Sequence, residues 1–123
     1  MKSGITLVCF SLVLCSCQKK SEEESFARGK EIYLANCISC HQSDGKGVKG
    51  VYPSLIKPDY IEENYSRRAI KLIRYGSGSN FGMKPIALSN EEITDVLNYI
   101  QNTWGNEASH LTKIDLTRLE TNE

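Results

Sequence analysis

Apolar positions follow two rhythms along the chain. Ile5 to Leu14 (ITLVCFSLVL) is a nearly unbroken apolar run, and the polar stretch QKKSEEES, residues 18–25, ends it abruptly. Beyond it the apolar residues spread to helical intervals. Phe26, Gly29, Ile32, Tyr33 and Asn36 recur along one helix face, behind Glu22 to Glu24, whose charges suit a helix N-terminus. SRRAIKLIRYG, residues 66–76, predicts another helix, with Ser66 as its cap, Ala69, Leu72 and Ile73 inward and Gly76 as its stop. Ser89-Asn90-Glu91-Glu92 reads as a capping box, with Leu88 and Ile93 placed for a hydrophobic staple. Ile93, Val96, Leu97, Ile100 and Trp104 then form one apolar stripe, which Gly105 ends in a left-handed stop. Leu55, Ile56, Tyr60 and Tyr75 are further core candidates. The expected class is all-α.

The first run has a different purpose. It is far shorter than the ~20 residues that a membrane-spanning helix needs, and Lys2 precedes it, so it reads as the apolar centre of an export signal. Leu14-Cys15-Ser16-Cys17 resembles the lipobox of bacterial lipoproteins, with Ser16 before the cut and Cys17 as the lipid acceptor. Cys15 stands where that pattern more commonly has a small residue. The expected organisation is a signal peptide over residues 1–16, a charged, flexible tether over 17–25 and a domain over 26–123 with a short C-terminal appendage. The resemblance implies a membrane-anchored lipoprotein of the bacterial cell envelope, facing the periplasm or the cell surface. At 123 residues the chain suits one domain, and its zero formal charge gives no reason to expect nucleic acid as a partner.

Cysteine usage narrows the chemistry. Of five cysteines, Cys9 and Cys15 leave with the signal and Cys17 takes the lipid, so Cys37 and Cys40 remain in an oxidising compartment. They stand in NCISCH, residues 36–41, a spacing used by redox disulfides, zinc sites and covalent haem attachment. A disulfide between residues three apart closes a tiny loop and constrains little chain entropy. Structural zinc needs four ligands, and adjacent Cys40 and His41 rarely both reach one tetrahedral ion, with His110 distant. A thioredoxin-like pair belongs at a strand-to-helix junction, whereas a helical segment precedes this one. Cys-x-x-Cys-His in an exported protein points to one covalent haem c, with Cys37 and Cys40 as thioether residues and His41 on the iron. A six-coordinate iron needs a second axial ligand, and Met83 in GMKP is the one methionine left after export.

These motifs resemble the class I monohaem cytochromes c. FARGKEIYLANCISCHQSDGKG looks like the family's first helix and haem-binding segment, YPSL like the segment beside the proximal histidine, and GMKPIALSNEEITDVLNYIQNTWGN like its Met loop and C-terminal helix. The resemblance covers roughly residues 26–119 and implies three to five helices wrapped around one haem. It also implies that the carbonyl of Pro53 accepts a hydrogen bond from His41, and that Gly29 and Tyr33 meet Val96 and Tyr99 where the first and last helices cross. Gly45-Lys46-Gly47-Val48-Lys49-Gly50 satisfies a dinucleotide-binding pattern literally, yet it follows His41 by four residues and lacks the strand-then-helix setting that pattern needs. A tight loop beneath the haem is the expected role. His110 is expected on the surface of the appendage.

With Met83 on the iron no coordination position is open, so outer-sphere transfer of single electrons to or from a membrane or periplasmic oxidoreductase is the expected function, without catalysis by the chain itself. The alternatives are a haem peroxidase, a gas or redox sensor with a labile Met83, or a fixed electron-transfer subunit of a larger complex. Residues 40–90 carry eight Lys or Arg against four Asp or Glu, whereas residues 91–123 carry two against seven. If Lys46, Lys49, Lys57 and Lys84 surround the haem edge, they suit an acidic redox partner.

Overall fold

The computed structural model describes residues 5–56 and 63–121. Five helices follow in order: α1 (Ile5–Asn36), α2 (Ile38–His41), α3 (Glu63–Tyr75), α4 (Asn90–Ile100) and α5 (Lys113–Thr121). Among the described residues the β pairing amounts to one isolated antiparallel bridge, Val48 to Tyr52. The all-α expectation is met.

The architecture rests on the crossing of α1 and α4. A Cβ built on Gly29 would lie 1.9 Å from the carbonyl oxygen of Asp95 and 2.9 Å from Cβ of Tyr99, so no side chain fits between the two backbones. A glycine inside a helix ordinarily costs about 1 kcal/mol relative to alanine, which close packing here offsets. The nearest approach is to the backbone of Asp95, and Tyr99 is met by both Gly29 and Tyr33, as the resemblance implies. Around it Phe26, Tyr33, Tyr99 and Trp104 form a ring cluster with centroids 5.1–5.8 Å apart. Ile93, Val96, Leu97 and Ile100 of α4 are buried, as the stripe predicts. The carboxylate of Asp95 is buried as well. It accepts from Ser25 Oγ and from Arg28 Nε, both at 2.6 Å, which satisfies a charge that would otherwise be costly in the interior.

Helix ends follow local chemistry. The capping box at α4 is complete: Ser89 Oγ accepts from Glu92 N, while Glu92 Oε2 accepts from Ser89 N at 2.8 Å. Leu88 and Ile93, the staple pair, both pack on the core. α3 ends as expected at Gly76, whose φ is +70°. Its start differs. Ser66 lies inside α3, buried, and accepts a hydrogen bond from Gln101 Nε2 at 2.8 Å, so its hydroxyl joins α3 to the end of α4 instead of capping a helix. Ile70 is buried, Leu72 is half-buried, and Tyr75 is exposed where a core role was expected. α4 also stops earlier than the apolar stripe suggests. Thr103 Oγ1 and Asn106 Nδ2 donate to the carbonyls of Tyr99 and Ile100, at 2.6 and 2.9 Å, and turn the chain so that Trp104 and Gly105 both take left-handed conformations.

Both ends of the chain differ from expectation. Residues 18–25, expected as a tether, continue α1; their Gln, Lys and Glu side chains favour helix, and no Gly or Pro interrupts them. Most of them are exposed, but Ser25 is buried against α4. The C-terminal appendage is part of the core. Leu116 and Leu119 of α5 are buried in it, and Asn98 of α4 holds the preceding segment by exchanging hydrogen bonds with both backbone groups of Leu111, at 2.7 and 3.0 Å. His110 is accordingly half-buried beside Asn98 and not a free surface residue. The start of the expected signal, residues 1–4, and the side chain of Cys17 lie outside the described part of the structure, as do Lys57 and Tyr60. Among the described residues no helix is long and apolar enough to cross a membrane.

Candidate functional site

α1 passes into α2 through Cys37, whose φ and ψ of −117° and −32° break the helix without reversing the chain. The carbonyl of Cys37 accepts from the N–H groups of Cys40 and His41, at 3.2 and 2.9 Å. This single turn sets the two thiols three residues apart on one face, and the imidazole directly after the second. Both cysteines are free and half-buried. Burial pushes the Cys37 thiol up to about 11, with the neighbouring Cys40 adding to the shift. Gln42 at φ +65° then turns the chain away from the helix axis.

The following loop returns to the histidine. His41 Nδ1 lies 3.0 Å from the carbonyl oxygen of Pro53, which can only accept, so Nδ1 is the donor, and in the neutral ring the lone pair is then on Nε2. Gly47 makes this approach possible: its φ is +65°, and an added Cβ would lie 2.3 Å from the carbonyl oxygen of Tyr52 and 2.6 Å from that of Pro53. Gly45, at φ +69°, faces Trp104, whose ring would lie 2.5 Å from an added Cβ, and Trp104 Nε1 donates to the carbonyl of Ser43 at 3.0 Å. Leu55 N closes the loop on the carbonyl of Gly45 at 2.7 Å, and Asn106 Nδ2 holds the carbonyl of Leu55 at 3.0 Å. The glycines of the dinucleotide-like pattern therefore serve loop geometry, in a segment without the strand-then-helix setting.

Met83 arrives from elsewhere. It sits between α3 and α4, half-buried, and borders the same hydrophobic core as Cys37, Ile38, Leu55 and Ile86. Its carbonyl accepts from Ser77 N at 2.9 Å, and Ile86 N donates to the carbonyl of Ile73 at 2.8 Å, so the loop is registered against the end of α3. The expected lysines are less uniform. Lys46 pairs with Asp44 at 3.5 Å, Lys84 Nζ donates to the carbonyl of Asn80 at 3.0 Å, and Lys49 is exposed. The pattern did not reveal Gly47 as the residue that admits the Pro53 carbonyl; its positive φ is a consequence of the loop path, which no local signal in the sequence specifies.

This donor set has a definite chemical character. Two unpaired thiols and one imidazole with a free Nε2 stand within five residues, and a thioether borders the same core. Residues 26–104 match the family described as Cytochrome c. The chain belongs to the cytochrome c family. As a c-type cytochrome it transfers electrons with covalently bound haem c, and its helical architecture is that of class I. Cytochrome c-552 of Thermus thermophilus is 32% identical over 92 residues, which cover 64% of this chain and 70% of that one. Cytochrome c-554(548) of Halomonas halodenitrificans is 35% identical over 78 residues, covering 59% of this chain and 90% of that one. The cytochrome c subunit of the quinone alcohol dehydrogenase of Gluconacetobacter polyoxogenes is 33% identical over 103 residues, or 74% of this chain. This cytochrome spans only 22% of that subunit.

Proposed function

We propose that this cytochrome is a one-electron carrier of the cell envelope, in which Cys37 and Cys40 would hold the haem covalently and His41 and Met83 would bind its iron. The observation that carries the reading is the bond from His41 Nδ1 to the Pro53 carbonyl, which orients the ring and leaves Nε2 as the donor. When bound, the haem supplies an iron that alternates between the ferrous and ferric states. The protein's own residues do the rest. Pro53 keeps His41 in one tautomer and strengthens it as a ligand. Met83 would supply a soft sulfur donor, which favours the ferrous state and would raise the potential. The half-buried Ile38, Leu55 and Ile86 would provide apolar lining that limits water.

Lipidation of Cys17 would hold the carrier at a membrane, as the run before it suggests, and α1 would then lead directly from the anchor into the domain. The likeness to a dehydrogenase's cytochrome subunit supports a redox enzyme as partner. The lysines at 46, 49 and 84 support an acidic docking surface on it.

The axial assignment is tested by optical spectroscopy. Ferric protein near neutral pH should show the weak near-infrared thioether-to-iron band and bind cyanide slowly. Met83→Ala should abolish the band, admit small ligands and lower the potential, while the colour survives acid-acetone extraction because Cys37 and Cys40 hold it covalently. A wild-type protein that is high-spin and turns over peroxide would replace the carrier with an open-face enzyme or sensor.

A further inference from the structure

We propose that Arg74 and Glu120 form a clamp that positions Met83, so that α5, which lies outside the segment matched to the family, sets how firmly the sixth ligand is held. The inference rests on Met83 as an axial ligand. The segment that carries Met83 leaves α3 after Tyr75 and enters α4 at Asn90. Arg74 spans these two ends. It lies in the last turn of α3, and its Nη2 donates to Asn90 Oδ1, in the first residue of α4, at 2.6 Å. Its Nε donates to Glu120 Oε1. Both members of this ion pair are largely shielded, with side chains 23% and 30% exposed. One planar guanidinium thus ties the entry of the loop to its exit and is itself fixed by a carboxylate on a third helix, a geometry that a lysine cannot reproduce.

The clamp acts close to the ligand. Ile73 and Ser77 flank its turn, and their backbone groups take the two hydrogen bonds that register the loop, from Ile86 N and to the carbonyl of Met83. There is no slack between them: a Cβ on Gly76 would lie 2.5 Å from the carbonyl oxygen of Met83. A shift of the end of α3 is therefore passed to the backbone of Met83. Glu120 keeps its place because Leu116 and Leu119 anchor α5 in the core.

Imidazole competes for the sixth position and reports the hold on Met83. In the full-length holoprotein, Glu120→Gln should raise the imidazole affinity of the ferric form about fivefold, and hydrogen exchange at the amides of Ser77 and Ile86 should quicken. Arg74→Lys should act in the same direction. Lys113→Gln is the control: it removes another ion pair of α5, to Glu91 at 2.6 Å, which does not touch Arg74, and it should change neither readout. Equal increases in Glu120→Gln and Lys113→Gln would reduce the effect to general loosening of α5 and overturn the clamp, as would an unchanged affinity in Glu120→Gln. Loss of the clamp alone leaves the near-infrared band present in wild type. A wild type without that band instead removes Met83 as ligand, and the clamp with it.

Discussion

The two regions proposed to hold the iron are built differently. The His41 side is local: Cys37 to Pro53 spans less than two dozen residues, and its path is fixed by backbone hydrogen bonds, two left-handed glycines that no other residue could replace without collision, and a tryptophan against the loop. The Met83 side is suspended. Its loop is registered by two backbone bonds to α3, begun by a glycine stop, ended by a helix cap and braced from outside by side chains of α4 and α5. An attachment site needs geometry that is complete as soon as the local chain folds. A ligand that sets the potential can be adjusted by distant elements, and the second design leaves that freedom.

Glycine substitutions should break this comparison most strongly. Gly47→Ala combines a left-handed φ with a collision against two backbone carbonyls, neither of which can rotate away. It should cost about 3 kcal/mol or more in holoprotein stability measured by urea unfolding, and it should disturb the His41 to Pro53 bond. Gly76→Ala meets the carbonyl of Met83 at 2.5 Å with φ +70°; a suspended loop can retreat, so a cost of about 2 kcal/mol with weakening of the near-infrared band is expected. Gly78→Ala is the internal reference. It has φ +71° and open space around it, so only the backbone penalty of about 1 kcal/mol should remain. Equal costs at residues 47 and 78 would show that the collision is relieved by loop movement and that the His41 side is not the more rigid one.

The same contrast governed what the sequence could reveal. Cys37, Cys40 and His41 stand out in the sequence because the chemistry proposed for them depends on adjacent positions; Ser89 with Glu92 were legible because a capping box is a four-residue signature. The contact of Gly29 was legible only through family resemblance, since Asp95 and Tyr99, whose atoms lie nearest to it, are 66 and 70 positions on. Ser66 looked like a cap because a serine before an apolar pattern usually is one, and its true partner, Gln101, is set by tertiary packing. The C-terminal segment looked like an appendage since Leu116 and Leu119 are too few to form a convincing stripe by themselves.

Smaller effects should sharpen the picture at the exit of the Met83 loop. Ser89→Ala removes the acceptor for Glu92 N and should cost about 1 kcal/mol, with a larger relative effect on the near-infrared band than on haem retention.

Acid should act at the same place, and more weakly. The bonds from Ser89, its backbone N–H first and its side chain second, hold Glu92 below the ordinary carboxylate range; Lys113 does the same for Glu91, chiefly by its hydrogen bond, and Thr112 for Asp115. A carboxyl group whose folded value is depressed stabilises the fold above its unfolded value, about 4.3 for glutamate, and that contribution disappears as the pH falls through the folded value. Glu91 and Glu92 are exposed and Asp115 is half-buried; all three lie in α4 or at the start of α5, and none belongs to the segment between Cys37 and Pro53. Below about pH 4.3 the cap of α4, which Glu92 completes, should therefore loosen first. In an acid titration of the ferric protein, the near-infrared band should fade before the far-ultraviolet helix signal, and Glu92→Gln should move that fading less steeply with pH, since one of the titrating groups has gone. Simultaneous loss of both signals, unchanged by Glu92→Gln, would mean that the Met83 side is no more yielding than the rest of the fold.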